Sequence, residues 1–160
     1  MPAEGVRITT ERPADVDAFV LACWLKHYYP RGCVTNGLDP ESSRDKKRYY
    51  QAHHPAFTQL LRTSTLALAV VDDEPDVYLG WALGKPGRLH YVFVKGAARG
   101  HGIGDALVRA ACGDGDLVYS FEPGERDGRP KRSYLAVAQR RGYRFQPHRV
   151  TVHKRQEQTA

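Results

Sequence analysis

The chain has 160 residues, a net charge of +6, and a composition of 41% hydrophobic and 26% charged residues. That is the size of one domain, expected over residues 1–160, with a substantial core, and the composition excludes a disordered chain. No run approaches the ~20 apolar residues of a bilayer-spanning helix, so no membrane partner is expected.

Met1–Val6 lacks the basic start and apolar stretch of a secretory signal. The cysteines Cys23, Cys33 and Cys112 are odd in number and widely spaced. They fit neither a disulfide framework nor a zinc pattern, so no metal is expected and reduced thiols in a cytoplasmic protein are the simple reading. The charge is uneven: Arg126–Arg155 holds ten Lys or Arg against one acid, Asp127. Such a segment attracts anions, including phosphorylated cofactors and nucleic acid, or is a solvated face.

Along the chain, Val6–Thr10 is β-branched and alternating, which predicts a strand. Arg12-Pro13-Ala14-Asp15 opens a helix, and Val16, Phe19, Val20, Cys23, Trp24 and His27 recur at helical spacing. Pro30, Gly32, Asn36, Gly37 and Pro40 predict a loop over 28–42. A second helix is expected over Ser43–Leu61, broken near Pro55. Strands follow at Leu66–Val71, Val77–Leu83 and Leu89–Val94, separated by turns. A glycine-rich turn leads into a helix striped by Ile103, Ala106, Leu107, Ala110 and Ala111. Leu117–Phe121 is a strand, 122–130 a polar loop, Ser133–Arg141 a helix stopped by Gly142, and Tyr143–Val152 a closing strand. The order is β-α-α-β-β-β-α-β-α-β, an α/β (α+β) domain.

The chemistry concentrates between Leu89 and Arg109. A strand feeds Arg99-Gly100-His101-Gly102-Ile103-Gly104, and a helix begins inside that turn. Backbone N–H groups there lack helical partners and sit at the positive end of the helix dipole, where a phosphate is the natural ligand. Glycines let it approach the backbone, and Arg99 adds charge. There is no GxxxxGK[ST], and the glycines run GxGxG, not GxGxxG, so a P-loop or Rossmann unit fits poorly.

The element order, together with [Q/R]-x-x-G-x-[G/A] between the fourth strand and third helix, resembles the GCN5-related N-acetyltransferase family. The resemblance implies a central, mixed, mostly antiparallel sheet flanked by helices, and acetyl-CoA as the cofactor. Backbone groups of Phe93 and Val94 would pair with the pantetheine arm, and the amides of Arg99, Gly100, His101, Gly102, Ile103 and Gly104 would cradle the pyrophosphate. It also implies transfer of an acyl group to a primary amine, on a small molecule or a macromolecule, and admits a homodimer.

Catalysis needs a base for the ammonium and an acid or donor for the leaving thiolate. The family's usual glutamate on the fourth strand is absent. That strand offers His90, which alternation places with Val92 and Val94 and opposite Tyr91. The usual tyrosine of the fourth helix falls on Ala138, so Tyr134 one turn earlier, and Ser120 or Tyr119 on the fifth strand, are the candidates. His27, Tyr28, Tyr29, His53 and His54 lie where the family covers its acceptor. Two other readings stay open: a nucleic-acid-modifying acyltransferase using the basic C-terminal third, and a non-catalytic CoA-binding module.

Overall fold

The structure is a computed structural model. It describes residues 4–122, 138 and 140–152, and the backbone alone at 125, 126, 129 and 130. Its strands are β1 Val6–Thr9, β2 Thr65–Val71, β3 Glu74–Lys85, β4 Arg88–Val94, β5 Val118–Tyr119, β6 Glu125–Arg126, β7 Arg129–Pro130 and β8 Arg144–Phe145. Six of them form one sheet in the order β1-β2-β3-β4-β5-β8, and β6 and β7 form a separate ribbon. Pairing is antiparallel from β1 to β4, then parallel for β4–β5 and β5–β8. The helices are α1 Val16–Thr35, α2 Ser43–Thr63 and α3 Ile103–Cys112.

The pleat of β2 shows how the layers are sorted. Leu66, Leu68 and Val70 point to the face covered by α1 and α2, where Trp24, Phe57, Trp81 and Phe121 are buried. Ala67 and Ala69 point to the other face, against Ile103, Leu107 and Ala111 of α3. Both faces are covered, so the strand reads as a continuous apolar run. Its small residues leave room for α3, and its large ones fill the space under α1 and α2.

Several boundaries differ from the sequence expectation. α1 does not stop at His27; it runs through Pro30 and Gly32 to Thr35. The reason is the crossing with α2. A Cβ on Gly32 would lie 2.5 Å from the Tyr49 ring, so the bare backbone admits that ring. The Tyr49 hydroxyl donates to the Leu25 carbonyl at 2.7 Å, next to the Lys26 carbonyl that Pro30 cannot serve. Packing of this kind outweighs the breaking tendency of Pro30. α2 likewise continues through Pro55, and its start is capped by Ser42, whose side chain accepts from the Asp45 N–H. The 122–130 loop carries the β6–β7 ribbon. The closing strand is only Arg144–Phe145. Most of the helix expected over Ser133–Arg141, Tyr134 included, lies outside the described residues. Its end is visible: Gly142 has φ +68°, and the Tyr143 N–H reaches the Ala138 carbonyl at 2.9 Å, a Schellman closure.

No helix among the described residues is long and apolar enough to cross a membrane.

Candidate active site at the β4–β5 opening

The glycine-rich turn begins where β4 ends. After Lys95 the chain makes one 3₁₀ turn, Gly96–Ala98, and becomes extended at Arg99. Gly100 (φ +85°) and Gly102 (φ +75°) then adopt left-handed backbone, which any residue with a Cβ resists. Ala98 and Ile103 are buried and pin the two ends, leaving 99–102 exposed between them. Gly102 caps α3 without a side-chain hydrogen bond, and no side chain among the described residues bonds the N–H groups of the first turn. The carboxylate in that turn, Asp105, is bonded to Arg141 at 2.9 Å. Arg99 folds back, with Nε donating to the Val94 carbonyl at 3.0 Å.

Gly104 gives a further sign. A Cβ there would meet only the Val94 Cγ2 at an ordinary 3.7 Å. Nothing among the described residues demands glycine there, although glycine weakens a helix by about 1 kcal/mol relative to alanine. Space above the first turn is what this residue preserves. The turn therefore fits a diphosphate group.

Beside it the sheet opens. β4 and β5 are paired only at Arg88–Val118 and Leu89–Tyr119, flanked by bonds from the Val118 N–H to the Gly87 carbonyl at 3.0 Å and from the Ser120 N–H to the Leu89 carbonyl at 2.9 Å. His90 marks the point of divergence. Leu83 pairs with Tyr91 but Gly84 pairs with Leu89, so His90 is an extra residue, a β-bulge. This corrects the simple alternation: the bulge takes His90 out of the series of Val92 and Val94, and its ring reaches across to β5. The bulge also sets the polarity of the strand edge. The Lys95 N–H bonds the Leu79 carbonyl at 2.8 Å, and alternation along that register turns Phe93 toward Trp81. Val92 and Val94 are the residues that turn their backbone groups to the β5 side. Phe93 therefore does not present its N–H and C=O to the opening, contrary to the expectation from the resemblance.

His90 is buried, with Nδ1 2.9 Å from Ser120 Oγ. Arg88 donates to the same oxygen at 3.1 Å and to the Gln146 carbonyl at 3.3 Å, tying β4, β5 and the C-terminal segment together. Burial first, then the charges of His148, Arg88 and Lys85, pull the His90 pKa down to about 4. The structure thus brings the sequence-predicted His90 and Ser120 into contact. Tyr119 faces the α3 side of the sheet instead, away from Ser120 and Phe121.

On the α1–α2 side lies a cleft of about 630 Å³, lined among others by Tyr28, Arg31, His53, Glu122 and His148. Arg31 and Glu122 form a hydrogen-bonded ion pair across it. Tyr28 is buried against Phe121 at 5.3 Å, and burial raises its pKa. His53 donates Nδ1–H to the Tyr49 carbonyl at 2.9 Å, since a carbonyl can only accept. His27 lies over Phe93, 4.4 Å between ring centres. Of the aromatic and histidine residues of α1 and α2, Tyr28 and His53 line the cleft. Arg31, Glu122 and His148 were not legible as site residues. Arg31 lay in an expected loop, Glu122 at a loop start, and His148 in an expected strand; nothing local distinguishes them.

No protein-family profile matches the chain, and no curated protein does either. Two solved structures are similar. A structure from Pyrococcus furiosus described as a "putative acetyl transferase" is 17% identical, with a TM-score of 0.53, over 93% of this chain and 98% of that one. Apo-form YjaB from Escherichia coli is 19% identical, with a TM-score of 0.43, over 66% of this chain and 63% of that one. At these identities the likeness is one of fold: a mixed α/β domain whose sheet and helices match an acetyltransferase-like architecture.

Proposed function

We propose that the chain is an acyl-CoA-dependent N-acyltransferase, using acetyl-CoA and transferring its acyl group to a primary amine. One observation carries the reading. An uncapped helix N-terminus, spaced by Gly102 and Gly104, stands at the end of a strand whose outer edge has parted from its neighbour. A diphosphate suits the first, and an extended amide-bearing arm suits the second. The acetyltransferase-like fold and the name given to the Pyrococcus furiosus structure support the same reading.

In it, the first-turn amides of α3 and Gly102 hold the diphosphate, and Val92 and Val94 offer edge groups to the arm. The cofactor supplies an activated thioester. The cleft of Tyr28, Arg31, Glu122 and His148 takes the amine.

Gly102→Asp tests the cradle. Aspartate tolerates left-handed backbone better than most residues, so the fold survives while its carboxylate meets the diphosphate. CoA affinity measured calorimetrically should fall at least about tenfold, the loss of roughly one charge-assisted contact. Unchanged affinity would refute the cradle. Thiol release from acetyl-CoA with an amine panel tests the enzyme itself; tight CoA binding without release would favour a non-catalytic binder.

A further inference from the structure

Deprotonating an ammonium requires a group that is unprotonated at the working pH, with a lone pair free, and within reach of both the amine and solvent. Three histidines line the cleft or lie against its lining, while His27 sits over Phe93 and is not among the lining residues; their surroundings sort the three. His90 is 2% exposed and bound to Ser120. Ser120 Oγ accepts from Arg88, and its own buried hydrogen needs an acceptor, which His90 Nδ1 provides. The ring proton then sits on Nε2, and neither nitrogen has a lone pair to spare. His53 is 1% exposed and packed among Tyr28, Tyr49 and Phe57.

His148 is placed differently. It is exposed, it lines the cleft with Tyr28 and Glu122, and its backbone N–H is fixed on the Ser120 carbonyl at 3.1 Å. Its ring lies 5.8 Å from Phe121 and 6.4 Å from His90, between centres. We propose that His148 is the proton acceptor of this cleft, taking the proton of the acceptor's ammonium group.

The inference rests on the acyltransferase reading. The proton passes from the ammonium nitrogen to an imidazole nitrogen. The freed lone pair forms the C–N bond as the C–S bond breaks, the second amine proton leaves with the thiolate, and the imidazolium returns its proton to water.

The surrounding charges suit this role. Arg88 and Lys85 lie on the sheet side, His90 on β4, and Arg149 on the segment of His148 itself. Glu122 is engaged by Arg31. Partial burial of the ring, then Arg88 and Lys85, lower the His148 pKa below its usual value, which favours the unprotonated imidazole.

The test is the pH profile of kcat/KM with acetyl-CoA and three amines: an aliphatic diamine, an amino-acid amide and an aminoglycoside. In His148→Gln, transfer should fall about 100-fold at pH 7. The deficit should shrink as pH nears the pKa of the amine, which then needs no base. A deficit constant with pH, or no deficit, overturns the proposal. NMR titration of the His148 ring, assigned by its loss in the variant, is read without substrate. A ring charged at pH 7 overturns the proposal even if no amine is acylated. Failure of the wild type on every amine, with a neutral His148, overturns the acyltransferase reading instead.

Discussion

At the scale of single residues, His90 shows how a strand position can be decided by its neighbours. A histidine exposed on a strand titrates near pH 6.5. Here the bulge turns the ring onto Ser120 beside Arg88, and the folded-state pKa drops to about 4. Between those values the unfolded chain binds a proton that the folded chain refuses. Stability is therefore full above pH 6.5 and declines as pH falls toward 4. Urea midpoints measured across that range should show the slope, and His90→Gln should flatten it. His53 and His148, also lowered, act in the same direction, so part of the slope remains. A slope unaltered in the variant would mean that His90 is not the buried neutral group. The strand itself was legible from Leu89–Val94; the bulge was not, because it arises from pairing with Gly84 and Leu83, which only the folded sheet supplies. A Cβ at Gly84 would lie 2.5 Å from both the Arg88 carbonyl and the Cys112 sulfur, so the bulge, that glycine and α3 are packed as one unit.

At the scale of elements, α3 sets stability against binding. Gly104 in its first turn has room for a methyl group and lies in helical backbone. Gly104→Ala should raise stability by about 0.5–1 kcal/mol in denaturant titrations. The same methyl group would stand where the proposed diphosphate approaches, so CoA affinity should fall. A variant more stable and equally tight in CoA binding would show that the glycine serves no ligand. α3 and its glycine turn were readable because their signals are local: a helical stripe, positive-φ glycines and a preceding apolar strand. α1 was readable only to its midpoint. Pro30 and Gly32 carry loop statistics, and their helical state depends on Tyr49 from α2, a contact no window of sequence contains. The cleft was illegible for a related reason. Arg31 and Glu122 are 91 residues apart, and each alone reads as an ordinary surface charge.

For the whole molecule, the two kinds of strand pairing divide the sheet. β1 to β4 form a continuous antiparallel block, with α1 and α2 on one face and α3 on the other. β5 and β8 add two residues each, attached in parallel. Two residue pairs, the flanking bonds from the Val118 and Ser120 N–H groups to the Gly87 and Leu89 carbonyls, and the side chains of Arg88 and His90 hold that margin to the block. Few ladder bonds mean a low local opening energy. Among the hydrogen-bonded amides of the sheet, those at 118–121 and 144–148 should therefore exchange fastest in the unliganded chain. A CoA molecule lying against Val92 and Val94 would occupy the place of the missing stretch of β5. In that sense the proposed cofactor would be a length of sheet supplied from outside, and the molecule would complete its folding on binding it. At a hundredfold excess over Kd, linkage gives about 2.7 kcal/mol of added stability. CoA should raise Tm by several degrees and slow exchange along that margin; protection confined to the turn at 99–104 would mean that the seam stays open.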